Sequence, residues 1–317
     1  MTMVFGSERT FALAPVSLQL ETTSAFRLPE YAGALFRGGF GKFFRDLVCT
    51  THKPVCAGCP EIDHCSYAQV FESPVDPSQF TVLRKYPNAP HPFVLTPPLH
   101  AKGLLPAGSI ISLQLALIGP GIEYLPYFIH VFDAMGSRGS FGGRFRVSSV
   151  KSCLEPDILV YDGGIRRILR PPPQFELNGE MGSVRRLRLN FVTPLRMRVD
   201  GHYKASPSFI DITQALLRRI HLLSVIYGAA NPDSAWMRPL LAAADNIRTV
   251  SSTFTPFRWS RMSGSQGRRI DMDGIAGALE AEGDLTTLAS WFRVGAWLHV
   301  GSGTSLGMGR YQLLTGD

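Results

Sequence analysis

The sequence predicts an α+β fold made of two tandem β-α-β-β-α-β units. Two glycine clusters carry the prediction, MGSRGSFGGRFRV at 135–147 and HVGSGTSLGMGRYQL at 299–313. Each follows a helical pattern and gives way to Arg plus an aromatic residue, Arg144-Phe145 and Arg310-Tyr311, and then to a strand. The length of 317 residues supports the same reading, since it suits two domains that each bury a core. The order helix, glycines, strand is the reverse of a dinucleotide-binding loop, where glycines open a helix whose N-terminus meets the pyrophosphate. It argues against a nucleotide cofactor and for a duplicated unit.

The elements follow in order. Residues 11–22 alternate as a strand. Pro29 opens a helix with Leu35, Phe36, Phe40, Phe43, Phe44 and Leu47 at helical spacing. Gly38, Gly39 and Gly41 lower its propensity, so close approach of another backbone, of RNA, or simple packing must favour them. A cysteine-rich, then proline-rich excursion follows, and SIISLQLAL from Ser109 reads as a strand. Residues 122–135 read as an apolar helix, with His130 expected to be core or partly buried. After the first glycine cluster, 144–152 is a strand. The breakers YDGG and RPPPQF mark a connector. The second half repeats the order: strand 184–199, helix 207–227 carrying His221, a helical piece at 233–247, strands within 250–262 and 268–281, helix 284–297, and a last strand from Arg310. The expected domains are 1–153, with a Cys-rich insertion at about 49–106, a connector at 154–183, and 184–317.

The formal charge of +7 points to an anionic partner, nucleic acid before membrane. Arginines cluster at 166–170, 185–188, 196–198 and 258–269, and their planar forks suit phosphates and bases. The apolar fraction of 45% and charged fraction of 18% exclude a disordered chain. MTMVFGSERT has no signal-peptide core, and the most apolar run is too short to span a bilayer. The expectation is a soluble, cytoplasmic protein with no membrane partner.

Cys49, Cys56, Cys59 and Cys65 form C-x6-C-x2-C-x5-C. A C-x2-C knuckle with two further thiols closes a tetrahedral zinc site, and four thiolates also hold an iron–sulfur cluster. Structural zinc is expected ahead of iron–sulfur, with His52 and His64 as substitutes for a thiol; Cys153 stands alone.

Taken together, LPEYAGALFRGGFGKFFRDLVC, CAGCPEIDHCSYAQVFE, LNFVTPLRMRVDG, FRWSRMSGSQGRRIDMDGIAGALEAEGDL and LHVGSGTSLGMGRYQL resemble the CRISPR-associated endoribonucleases that process precursor CRISPR RNA, within the RAMP superfamily. The resemblance covers nearly the whole chain. It implies two ferredoxin-like (RRM-like) domains and a part in antiviral defence. It further implies metal-independent cleavage of CRISPR repeat RNA by the 2′-hydroxyl, giving guide RNA. The same fold also serves a non-catalytic RNA-binding subunit of a CRISPR ribonucleoprotein, so other effector subunits are expected as possible partners beside the RNA. Two positions depart from the family pattern: Ser302 stands where a Lys is frequent, and Lys42 where many members carry His.

Such cleavage needs a base, an acid and positive charge on the phosphorane. The first helix supplies the catalytic candidates: Tyr31 to orient the ribose or relay a proton, Arg37 to hold the phosphate, and Lys42 to stabilise the transition state or protonate the leaving group. The RNA-binding candidates are Arg258, Trp259, Arg261, Arg268 and Arg269 in a basic hairpin, with His299, Gly301, Ser302, Gly303, Gly307 and Gly309 in the C-terminal turn. There, glycine N–H groups can meet phosphates as a nest. His202 lies in a turn and is within reach of RNA on the same reading.

Overall fold

The computed structural model describes residues 11–29, 31–73, 89–99, 102–139, 142–175, 182–199, 201–228, 233–262 and 268–316. They form two compact units, 11–175 and 182–316. The first contains β1 (Leu13–Thr22), β2 (Phe26–Leu28), α1 (Gly33–Val48), β3 (Phe93–Thr96), β4 (Gly103–Leu105), β5 (Ile110–Ile118), α2 (Leu125–Arg138), β6 (Phe145–Ser152), β7 (Leu159–Asp162) and β8 (Arg167–Ile168). The second contains β9 (Arg186–Leu195), β10 (Arg198–Val199), β11 (His202–Tyr203), α3 (Phe209–Tyr227), α4 (Met237–Asp245), β12 (Arg248–Ser252), β13 (Thr255–Phe257), β14 (Ser260–Met262), β15 (Arg269–Asp271), β16 (Gly274–Glu282), α5 (Thr286–Leu298) and β17 (Tyr311–Gly316).

The sheets run β3-β5-β1-β6-β7-β8 and β12-β16-β9-β17. In each, the first strand lies between the strand that enters the last helix and the strand that leaves it. This is the ferredoxin-like order, and both sheets are antiparallel. In β1, Val16, Leu18 and Leu20 are wholly enclosed. In β9, Leu187, Leu189 and Phe191 alternate inward while Arg186 and Arg188 point out, the period-two pattern of a sheet packed on one face. A capping box opens α3: Ser208 accepts from the Asp211 N–H, and Asp211 accepts from the Ser208 N–H at 2.8 Å.

The first core is built on Phe40. Its ring stacks on Phe128 at 4.3 Å and on Phe132 at 5.3 Å, and meets Phe71 and Phe93 at 5.4 and 6.0 Å. One helix glycine is thereby explained by packing. A Cβ on Gly41 would stand 3.1 Å from the Phe71 ring, whereas one on Gly38 would meet nothing within 4 Å.

Four expectations change. The helix starts at Gly33, so Pro29 and Tyr31 precede it. The excursion from 49 to 106 is not wholly an insertion, because fully buried β3 is a core strand paired with β5. Prolines at 92 and 97 flank that strand and hide it from a reading of breakers. The connector contributes β7, with Val160 and Tyr161 buried, beside β6. There YDGG makes a turn in which Asp162 accepts from the Gly164 N–H at 2.8 Å. His130 is exposed rather than core or partly buried, while His221 is buried.

Phe40→Ala should cost the first unit about 3–5 kcal/mol, the range for deleting a buried ring. A loss below about 1 kcal/mol in chemical denaturation would contradict the central place of this ring.

Candidate functional site

Within the first unit, α1 does not bring its three candidates together. The Tyr31 hydroxyl lies ahead of the helix, and burial pushes it above its ordinary value, so it stays a neutral donor. Arg37 and Lys42 are five residues apart, about 140° around the helix. Lys42 is exposed. Arg37 lies half-buried over the Phe71 ring at 4.9 Å, and its Nη2 donates to His91 Nε2 at 3.0 Å. A guanidinium only donates, so His91 Nε2 is the acceptor in this bond. His91 in turn stacks on Phe93 at 5.6 Å. Nothing in the local sequence marks this histidine: it lies far from α1 along the chain, in a proline-rich stretch, and only the fold brings it to Arg37.

The C-terminal turn of the second unit is a packed corner. His299, at φ 60°, is completely enclosed, and its Nδ1 donates to the Met308 carbonyl at 3.1 Å. Burial first, then Arg310 and Arg219, holds its pKa well below the usual histidine value. Arg219 is half-buried beside it; it donates Nε–H to the Leu298 carbonyl at 2.8 Å, and desolvation brings it down to about 10. The N–H groups of Ser302, Leu306, Gly307, Met308 and Gly309 all donate within the unit. A Cβ on Gly309, at φ 74°, would stand 1.8 Å from the Val300 carbonyl oxygen. The reading of this turn as a phosphate nest is therefore corrected for His299, Gly307 and Gly309, which are buried with their donors spent internally. Ser302 is exposed, with Gly301 and Gly303 half-exposed beside it.

The turn is joined to a basic surface. The Ser302 N–H donates to the Arg196 carbonyl at 2.6 Å. The Arg196 and Arg198 guanidiniums lie 4.3 and 4.4 Å from the centre of the exposed Tyr203 ring, on the short β10–β11 hairpin. Exposed His202 is the other residue of β11. Arg196 Nε also donates to the Asp273 carbonyl at 3.1 Å, and the Asp273 carboxylate accepts from the Trp259 backbone N–H at 3.3 Å. The described stem of the basic hairpin, β14–β15, thus adjoins the same surface. In it Arg258, Arg268 and Arg269 are exposed, while Trp259 and Arg261 are half-buried. Residues 263–267 lie outside the described residues. The 185–188 cluster behaves differently. Arg186 pairs with Glu282, and Arg188 reaches Glu280 at 2.6 Å, so β16 carboxylates offset this charge. Sequence spacing does not show that pairing, nor the Arg–Tyr203 contact.

The four cysteines are free thiols around one cleft of about 280 Å³, lined also by Arg45, Lys53 and His64. Burial pushes the Cys56 thiol up. At Cys49, burial is outweighed by hydrogen bonds from His52, Thr51 and Arg45, which hold the thiol below its ordinary value. Among the described residues, no three His, Cys, Asp or Glu side chains converge closely enough to hold a metal ion. Nor is any described helix long and apolar enough to cross a membrane.

Two ferredoxin-like units in tandem, the second ending in a glycine turn beside arginines, define a Cas6-like α+β fold. Comparison with known proteins agrees. Residues 11–173 match the family model AF_1859_N, an N-terminal domain, and residues 189–311 match that of the CRISPR-associated endoribonuclease Cas6. The second unit thus carries the match to the Cas6 family, and the first carries the match to the N-terminal domain model. An uncharacterized protein of Archaeoglobus fulgidus is 27% identical over 154 residues, which are 46% of this chain and 50% of the relative. The chain thus spans about half the length of the curated relative it matches. Thermus thermophilus Cas6 superposes at TM-score 0.55 with 14% identity, over 96% of this chain and 99% of that one. A Cas6 product complex gives 0.57 with 15% identity, over 95% and 100%. A partial Cas6-RT-Cas1–Cas2 complex gives 0.60 with 9% identity, over 96% of this chain and 46% of that one. At these identities the likeness is one of fold.

The buried His299 sets a pH dependence. Its folded pKa lies below the unfolded value near 6.5, so the unfolded chain takes up the proton first as pH falls. Its contribution to stability is complete above that value and shrinks below it, with His221 acting in the same direction. The denaturation midpoint should fall between pH 7 and pH 5, and His299→Asn, which tolerates positive φ, should flatten the fall. An unchanged slope in the variant would refute the assignment.

Proposed function

We propose that this chain is an endoribonuclease that cuts CRISPR repeat RNA to guide RNA without a catalytic metal. The observation that carries the reading is the match of residues 189–311 to the Cas6 endoribonuclease family. In the proposed reaction the RNA 2′-oxygen attacks the adjacent phosphorus and the bond to the 5′-oxygen breaks. A 2′,3′-cyclic phosphate and a 5′-hydroxyl result. One proton leaves the 2′-hydroxyl and one reaches the departing oxygen.

The Arg37–His91 pair fits this chemistry better than Tyr31, Arg37 and Lys42 taken together. Imidazole carries protons near neutral pH, and the guanidinium beside it offers fixed positive charge to the phosphorane. We assign proton transfer to His91 and charge stabilisation to Arg37. Lys42, exposed and about 140° away around the helix, is assigned a backbone phosphate. Tyr31 remains a neutral hydrogen-bond donor toward the ribose. In the second unit, Arg196, Arg198 and Tyr203 beside Ser302 support an RNA-binding surface, together with Arg258, Arg268 and Arg269. Cation–aromatic pairs of this kind hold phosphates and stack on bases.

Labelled repeat RNA should be cut in EDTA, while the same RNA with a 2′-deoxy scissile nucleotide should stay intact. Tight binding with no cleavage of either would replace the enzyme with a non-catalytic RNA-binding subunit of a CRISPR complex. His91→Ala should slow single-turnover cleavage by roughly 10²–10⁴-fold, the usual contribution of an acid–base group, with affinity preserved. Lys42→Ala should instead weaken binding and reduce its salt dependence by about one phosphate contact. Tyr203→Ala should raise the Kd on the order of tenfold, since stacking is worth ~1–3 kcal/mol, and leave the cleavage rate of bound RNA unchanged. Equal rates for His91→Ala and the parent protein would refute the assignment of His91.

A further inference from the structure

We propose that Cys49, Cys56, Cys59 and Cys65 bind one structural zinc ion, which fastens the end of α1 to the turn packed beneath it. Three observations point to it. All four thiols face one cleft, and each is half-exposed. They come from positions far apart in local structure: Cys49 caps the C-terminus of α1, Cys56 and Cys59 bracket a turn closed by the Cys59 N–H to the Cys56 carbonyl at 3.0 Å, and Cys65 precedes the short helix at 68–72. The Thr51 hydroxyl oxygen lies 3.9 Å from the Cys49 sulphur and 3.4 Å from the Cys59 sulphur. A tetrahedral zinc tetrathiolate places sulphurs about 3.8 Å apart around bonds of about 2.3 Å.

The four cysteines line the cleft without converging, and residues 50–64 contain neither helix nor strand. Zinc binding therefore requires side-chain rotation and adjustment of these turns. The surroundings suit the charge of a zinc tetrathiolate. The Arg45 guanidinium lines the cleft, fixed by a bond to the Pro54 carbonyl at 3.1 Å, and Lys53 lines it too, with its Nζ bonded to the Gly58 carbonyl at 3.4 Å. Four thiolates fill the coordination sphere and leave no open position, so the ion is structural.

The site has a structural consequence. Directly after Cys65, Tyr67 stacks on Phe71 at 5.1 Å, and Phe71 carries the Arg37 guanidinium and touches Phe40. Zinc would fix both ends of the segment that positions this ring.

The test uses the full chain purified without chelators. Elemental analysis should find about one zinc per chain, and one equivalent of cobalt(II) should give the absorption of a tetrahedral tetrathiolate. Cys56→Ser with Cys59→Ser should abolish both, and Cys153→Ser should change neither. Stripping zinc should lower the thermal midpoint by several degrees, and returning zinc alone should restore it. Stoichiometric iron and sulfide in place of zinc, or a wild-type cobalt spectrum without thiolate charge transfer, would overturn the proposal. The cobalt readout needs only the wild-type chain, so it decides the matter even if the double variant does not fold. None of these measurements depends on RNA cleavage.

Discussion

In each unit the strand that leaves the last helix has to lie beside the first strand. β6 pairs with β1 inside its sheet and β17 with β9 at a sheet edge, so the chain leaving α2 or α5 must reverse within a few residues. That constraint accounts for both glycine clusters. In the second unit the corner is closed by backbone bonds from Gly309 to Pro194 and from Ser302 to Arg196, which tie the turn to the end of β9. His299 at positive φ and Arg219, bonded to the Leu298 carbonyl, complete it. The same spacing in the first unit brings Gly142 against Arg27, whose N–H donates to the Gly142 carbonyl at 3.0 Å.

This packing redistributes the chemistry of the C-terminal turn. Amides that look available in a glycine-rich sequence are mostly committed to holding the corner. What reaches solvent is Ser302 and the arginines on the neighbouring hairpin, so the second unit presents side-chain rather than main-chain recognition. Charge follows the same logic. Arginines on β9 lie opposite carboxylates on β16, because cross-strand neighbours in an antiparallel pair face one another. Arg196 and Arg198, past the end of that pairing, rest on Tyr203 instead. The net charge of +7 therefore overstates the first cluster and understates the second.

In the first unit, α1 and the residues around Phe71 form one aromatic layer, with the thiol cleft at one end and Arg37 on the ring. The position of Arg37 depends on Phe71, and Phe71 depends on how residues 49–67 are held. The cysteine cleft and the orientation of a cationic side chain on α1 are thus linked through Phe71.

Much of this was legible along the chain. Periodicity placed the helices and the central strands, since a strand buried on one face or a helix with one apolar stripe must show its period in the residue order. The helix–glycine–strand order identified the duplicated unit, and the cysteine spacing marked one segment. Three things were not legible. β3 is flanked by prolines that look like breakers, and only its pairing with β5 makes it a core strand. His91 and Arg37 are 54 residues apart and meet only across the folded unit. Arg188 and Arg196 look alike in sequence, yet one meets a carboxylate and the other a ring. The sequence by itself determined the two units and the order of their elements, because these follow from local geometry and the burial of periodic apolar residues. Which polar side chains face solvent, which cancel and which come together was decided only by tertiary structure, because contacts between distant residues depend on strand register and helix rotation, and neither is written in local composition.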